Sequence, residues 1–302
     1  MIDISLGVQT LNLRQHCGVP LDSPTLDVEG VRIAYTREGS GPPVVCLHAI
    51  GHGSGDYAAF SKALRDQYEV IRIDWPGHGR SGTDPQPPSA ERYAQLLSGL
   101  LDQLRLGTPI LMGNSIGGAA ALLAASRRPV RALVLCDSGG LVPVNPLVRG
   151  ITRVFRAFFG AGARGVFGFG LAYRLYYRWL ILPAPAAALQ RARIVAAGTE
   201  HAALLRDAWA SFGQPSADLR ATAAALDLPV WCAWSRRDRV IPLWMCRPAI
   251  RALRNGRLSV FDGGHTAFLE QPEAFVDGFR QFTAALAASP DSHLRAAPPS
   301  RP

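Results

Sequence analysis

Gly113-Asn114-Ser115-Ile116-Gly117-Gly118 sets a serine hydroxyl among glycines, between the apolar run Ile110-Leu111-Met112 and a segment of helical composition beginning near Ala119. A G-x-S-x-G run between a strand and a helix is the setting of an exposed serine nucleophile. So tight a turn leaves no room for bulky neighbours, which accounts for Gly113, Gly117 and Gly118. The helix N-terminus beyond it favours the negative charge that grows when serine attacks a carbonyl. The N–H of Ile116 is the natural first donor to that oxyanion.

A hydroxyl needs a base, and the base needs an orienting acid. His265 stands in Asp262-Gly263-Gly264-His265, a glycine turn after the apolar run Leu258–Phe261. His201 and His293 lack a strand end before them, and His16 precedes the first strand pattern. Two aspartates follow apolar runs: Asp238, just after Val230–Ala233, and Asp137, after Ala132–Leu135. Asp238 is the first candidate for the acid and Asp137 the alternative.

The elements that must carry these groups are readable as pattern. Val28–Tyr35 alternates and predicts an antiparallel entry strand. Short, mainly apolar runs follow at Val44–Leu47, Val70–Ile73, Ile110–Met112, Ala132–Leu135, Val230–Ala233 and Leu258–Phe261. Such runs suit a parallel sheet covered on both faces, and Ala90–Leu104 and Ala119–Arg127 have the composition of covering helices. The expected class is α/β, a doubly wound, mostly parallel sheet. About ninety residues separate Cys136 from Val230, far more than a connecting loop needs. The expected division is an arm over 1–24, a core over 25–140 and 216–287, an inserted helical lid over 141–215, and a disordered tail over 288–302.

With Ser115, Asp238 and His265 in that chain order, the chain resembles the α/β-hydrolase family over about residues 28–285. The family's G-H…P-E-x-F pattern is matched by Gly264-His265 and Gln271-Pro272-Glu273-Ala274-Phe275, and its strand-end D-x-x-x-P by Asp238-Arg239-Val240-Ile241-Pro242. Asp74-Trp75-Pro76-Gly77-His78-Gly79-Arg80-Ser81 resembles its D-x-x-G-x-G-x-S segment, a scaffold loop. The resemblance implies a Ser115–His265–Asp238 triad and maps a second oxyanion donor onto Ile50, in His48-Ala49-Ile50-Gly51. Ala49 stands where the family usually has Gly, so this loop needs no positive φ at that position. His48 is expected to prop the loop. Serine in the elbow also sets the chain apart from similar haloalkane dehalogenases and epoxide hydrolases, which use Asp there.

Composition bounds the partners. The net charge is +9, with 48% apolar and 18% charged residues. No run of five or six basic residues and no zinc spacing occurs, which disfavours a nucleic-acid partner, and no metal or cofactor is implied. Nine Arg against Glu200 and Asp207 concentrate most of the surplus charge between 141 and 215. The same interval holds Phe155, Phe158, Phe159, Phe167, Phe169, Tyr173, Tyr176, Tyr177 and Trp179, and this basic, aromatic lid suits peripheral contact with a membrane. Gly165–Leu182, its most apolar run, is interrupted by Arg174 and Arg178 and is poorly suited to cross one. Five cysteines without a CxxC, and no signal-peptide pattern, predict a reducing, cytoplasmic location.

The apolar lid favours a hydrophobic small-molecule ester, thioester or carbon–carbon bond substrate. Asn114 within Gly-Asn-Ser-x-Gly-Gly is similar to the carbon–carbon bond hydrolases of aromatic ring-fission products. Those carry Trp after the catalytic His and a lid Arg for the substrate carboxylate, whereas Thr266 follows His265 here. An esterase or general acyl hydrolase is therefore expected first, that group second, with an acyltransferase as a further alternative. A non-catalytic binding module is disfavoured, because binding alone needs no Ser–His–Asp set.

Overall fold

A computed structural model describes residues 23–196, 198 and 200–288. The expected arm and tail therefore fall almost wholly outside the described residues.

Eight strands form one sheet in the order β1-β2-β4-β3-β5-β6-β7-β8. The strands β3 (Pro43–Leu47), β4 (Glu69–Ile73), β5 (Ile110–Asn114), β6 (Ala132–Cys136), β7 (Val230–Ser235) and β8 (Gly256–Phe261) are mutually parallel. The apolar runs of β3, β5, β6 and β7 have a direct cause, since alternate residues face opposite layers and both layers are covered, whereas β8 at the sheet edge is largely exposed. Val45 and Leu47 pack into one core, while Val44 and Cys46 pack into the other. Helices α2 (Ala90–Leu104) and α3 (Ile116–Ala125) cover the first face; α1 (Ala58–Leu64) and α11 (Pro272–Ala288) cover the second.

The entry strand expected over Val28–Tyr35 is in fact a hairpin. β1 (Thr25–Val28) and β2 (Val31–Glu38) pair antiparallel across Glu29-Gly30. Both turn residues have positive φ, 53° and 78°, which matches the right-handed twist of a two-residue hairpin. The helix expected near Ala119 starts three residues earlier, at Ile116. Gly117 and Gly118 belong to it, because its first turn runs too close to neighbouring backbone for side chains.

Between β6 and β7 the chain leaves the sheet and forms α4 (Pro146–Ala163), α5 (Phe169–Tyr176), a π turn (Tyr177–Ile181), α6 (Ala188–Ala196), α7 (Ala202–Phe212) and α8 (Arg220–Ala225). α4 is started by Pro146 at its first turn and by the Asn145 side chain, which accepts from the Val148 N–H at 3.0 Å. Aromatic rings join the insertion internally: Phe155 stacks on Trp209 at 4.3 Å, and Phe159 meets Tyr176 edge-on at 5.4 Å. No helix among the described residues is long and apolar enough to cross a membrane.

The parallel strands point their C-terminal ends the same way. Ala49–His52 follows β3, Ser115 follows β5, Asp137 follows β6, Asp238 lies three residues past β7 and His265 four past β8. The order β4-β3-β5 makes the β3/β5 boundary the place where the winding reverses, the point at which sheets of this kind open a crevice. All the candidate residues converge on that edge, beneath the insertion.

Candidate active site

Ser115 is the residue between β5 and α3, with φ 55° and ψ −120°. A residue other than glycine costs on the order of 1–3 kcal/mol in such a conformation, so the surroundings must enforce it. They do so by hydrogen bonds: the Ser115 N–H donates to Cys136 O at 3.2 Å, and its carbonyl accepts from Gly118, Ala119 and Gly139 at 2.9–3.1 Å. The glycines have separate jobs. A β-carbon on Gly117 would stand 2.4 Å from Leu47 O, and one on Gly113 would stand 2.3 Å from Gly117 O. Both contacts are with backbone that cannot swing aside. Gly117→Ala should therefore lower stability by about 1–3 kcal/mol, or prevent folding. Chemical denaturation checks this, and an unchanged midpoint would contradict the crowding.

His265 is buried in the turn after β8, and its Nδ1 lies 2.8 Å from Asp238 Oδ2. The other Asp238 oxygen accepts from the N–H groups of Val240 and Ile241 at 2.7 and 3.0 Å. The carboxylate is thus locked by its own turn and offers a single oxygen to the ring. Burial alone would depress the imidazole pKa, but the Asp238 charge and hydrogen bond outweigh it and raise it, with smaller help from other nearby carboxyls.

Asp137 takes a different place. It is fully buried, its Oδ1 accepts from the Ser235 N–H at 2.6 Å, and the Ser235 hydroxyl donates to its Oδ2 at 2.9 Å. Burial first, and the Asp238 charge second, push its pKa up to about 8, so it holds a proton at neutral pH. The carboxyl oxygen that meets the imidazole is that of Asp238.

The His265 turn is tied down on three sides. The Asn114 amide donates to the His265 carbonyl and to Cys136 O, each at 3.0 Å. The His265 N–H donates to Ile181 O of the insertion at 2.8 Å. Glu270 accepts from the Gly264 N–H and also from the Ala184 N–H, clamping the turn to the insertion. Asn114 is part of the elbow, but the strap it forms across 151 residues has no signature in spacing.

Ile50 and Ile116 line the same cavity as Ser115 and His265, and the backbone N–H of neither donates to another backbone carbonyl among the described residues. Their loop is held by scaffold histidines. His48 accepts from the Trp75 N–H at 2.9 Å and its carbonyl accepts from the Trp75 indole, while His78 Nε2 accepts from the Gly51 N–H at 2.8 Å. The positive φ of this loop falls on Gly51, at 76°, and not on Ala49, so Ala49 is accommodated without strain.

The cavity has a volume of about 310 Å³ and is mostly apolar, walled by Val142, Ile151, Phe155, Tyr176, Trp209 and Phe212 from the insertion and by Met245 from α9 (Leu243–Arg251). One polar pair on its wall was not legible beforehand. His52 Nδ1 meets Asp56 Oδ2 at 2.5 Å with both side chains buried, and Gln190 of α6 donates to the other Asp56 oxygen at 2.5 Å. Histidine and aspartate four residues apart form no recognised motif, so nothing in the spacing singles them out.

Comparison with known proteins shows the family and the fold. The model of the alpha/beta hydrolase family matches residues 44–278. A pimeloyl-[acyl-carrier protein] methyl ester esterase of Xanthomonas campestris pv. campestris is 31% identical over 272 residues, covering 82% of this chain and 97% of its own length. An uncharacterized protein of Mycobacterium tuberculosis is 29% identical over 86% of this chain and 81% of its own. Among solved structures, an enol-lactonase from Burkholderia xenovorans LB400 superposes with TM-score 0.72 at 22% identity, over 86% of this chain and all of that one. A thermophilic esterase from Thermogutta terrifontis does so with TM-score 0.71 at 23% identity, over 87% of this chain and 97% of that one.

Proposed function

Because this chain belongs to the alpha/beta hydrolase family and is a hydrolase, we propose that it cleaves an ester, or a related acyl bond, of a hydrophobic small molecule through Ser115, His265 and Asp238. The observation that carries this reading is the strained Ser115 at the floor of an apolar cavity that also holds His265, itself bonded to Asp238 at 2.8 Å.

The chemistry follows from the placement. His265 Nε2 takes the proton from the Ser115 hydroxyl as the oxygen attacks the carbonyl. Negative charge moves to the carbonyl oxygen and is held by the Ile50 and Ile116 N–H groups. Asp238 stabilises the imidazolium, which then protonates the departing alcohol and leaves an acyl-serine. Water, deprotonated by the same imidazole, attacks the acyl-serine and releases the acid. The insertion acts as a lid whose inner wall receives the acyl chain, and His52, fixed by Asp56, supplies a polar point on that wall.

A carbon–carbon bond hydrolase of the ring-fission type would want a lid arginine in the cavity. Arg239, from the core segment after β7, lines it, and none of the insertion's arginines does. The ester reading is favoured for that reason. Assay of a p-nitrophenyl ester series tests it: kcat/KM should rise from acetate towards medium chains as the apolar wall fills. No turnover of any ester, alongside cleavage of vinylogous diketo acids, would overturn it.

A second expectation concerns pH. The base works only as neutral imidazole, and its pKa is raised above the ordinary 6.5. The acid limb of kcat/KM should therefore have its midpoint above 6.5, with activity lost as pH falls through it. A midpoint at or below 6.5, measured from the pH profile, would show that Asp238 does not charge-stabilise the ring.

A further inference from the structure

The helical segment that walls the cavity has an outer side as well. α5 and the π turn bury Phe169, Tyr173, Tyr176 and Tyr177 on the inner face, and Tyr176 and Tyr177 reach the cavity. Helical periodicity sends Leu171 and Leu175 to the opposite side, where Leu171 is 65% exposed. Phe167, in the turn just before α5, is fully exposed, and Trp179, in the π turn, is 55% exposed. Four large apolar side chains thus recur every fourth residue on a surface facing solvent.

Arginine is interleaved with them. Arg174 and Arg178 lie on the same outer side, both exposed, and Arg178 sits 5.1 Å from the Trp179 ring centroid. Arg178 donates to the Pro183 carbonyl at 3.2 Å and forms no ion pair among the described residues. No Asp or Glu occurs anywhere from Leu141 to Thr199. A face of bulky apolar groups set among cations, with aromatic rings at both ends and no carboxylate within the segment itself, is complementary to a surface that is apolar beneath and anionic at its boundary. From Phe167 to Trp179 a helix runs about 18 Å, a length that lies flat in such a boundary.

We propose that Phe167, Leu171, Leu175 and Trp179, with Arg174 and Arg178, dock this chain onto an anionic lipid bilayer. Docking on the outer face sets the cavity one helix thickness from the lipid. That an ester held in the membrane is the substrate rests on the hydrolase reading above; the docking itself does not.

The test is co-sedimentation of the full chain, as Ser115→Ala so that no ester is consumed, with phosphatidylcholine vesicles with and without 30 mol% phosphatidylglycerol (about a third of the lipid, a typical anionic share). Binding should need the anionic lipid and weaken as salt is raised. Arg174→Gln/Arg178→Gln should bind roughly 30-fold more weakly, from the loss of two surface cations. Phe167→Ser/Leu171→Gln/Trp179→Ser should lose binding to the anionic vesicles as well. In the Ser115 background these surface variants should hydrolyse a short, water-soluble ester like the parent, which shows that they fold and leaves the vesicle result interpretable even if that ester is not a substrate, since thermal unfolding then serves as the control. Binding unchanged in both variants, or equal binding to neutral and anionic vesicles, would overturn the proposal. So would a homodimer in solution that the Phe167/Leu171/Trp179 substitutions split, since the face would then belong to a second copy of the chain.

Discussion

Ser115→Ala should reduce kcat/KM on the best ester by about 10⁴–10⁶-fold and abolish labelling by a fluorophosphonate, with the fold intact. In free-energy terms that is a loss of roughly 5.5–8 kcal/mol of transition-state stabilisation. The loss is so large because the other groups have no use without this oxygen. His265 has no proton to take, Asp238 has no imidazolium to stabilise, and water attacking directly would lie off the position that the elbow fixes. Stability should change by no more than about 0.5 kcal/mol. Alanine keeps the same left-handed backbone strain, and the four hydrogen bonds that enforce it come from the Ser115 backbone, not from its hydroxyl. The measurement is active-site titration beside a folding midpoint. A label that still attaches to Ser115→Ala, or a rate within tenfold of wild type, would remove Ser115 from the chemistry.

Much of this arrangement was legible in the residues because it depends on local backbone. A strand buried on both faces has to read as a continuous apolar run, so β3, β5, β6 and β7 announced themselves, and Gly113 reports a crowding against Gly117 within a few residues of Ser115. What was not legible depends on distant approach. The Glu29-Gly30 turn was absorbed into an alternating pattern that runs unbroken through it. Gly117 and Gly118 looked like turn residues, whereas they start a helix pressed against Leu47 O and Ser138. The Asn114 strap to the His265 carbonyl and the Glu270 clamp between Gly264 and Ala184 join residues that share no period. His52 and Asp56, four residues apart, carry no recognised motif, and the contact of Gln190 with the same carboxylate spans 134 residues. The same distinction explains why two aspartates stayed open as the acid: both follow strand ends, and only the fold shows which faces the ring and which faces Ser235.

Asp238→Asn should lower kcat about 10⁴-fold at neutral pH, whereas Asp137→Asn should leave it within a few-fold of wild type. An amide at 238 cannot balance a positive ring, and its NH₂ favours the imidazole tautomer that points a proton at Ser115. The acid limb of the pH profile should also move down, because the largest upward influence on His265 is gone. At 137 the substitution is nearly silent for catalysis. That carboxyl already holds a proton at neutral pH, so an amide of the same shape keeps a neutral group against Ser235. Stability should separate the two residues a second time. Asp137 has its pKa raised from 3.8 to about 8 on folding, so between those values the native state binds a proton that the unfolded chain has released. By linkage, stability must then fall as pH rises through that window and level off above it. The raised His265 pKa pulls in the same direction, its contribution being present below 6.5 and lost as pH climbs through the folded value. Comparing unfolding free energies of wild type and Asp137→Asn from pH 4 to 8 removes the Asp137 part and lessens the histidine part, which Asp137 helps to raise, so the variant should show the shallower decline. If instead Asp137→Asn is the inactive protein and Asp238→Asn the active one, the acid lies after β6, and the 2.8 Å contact to Asp238 is not the one that catalysis uses.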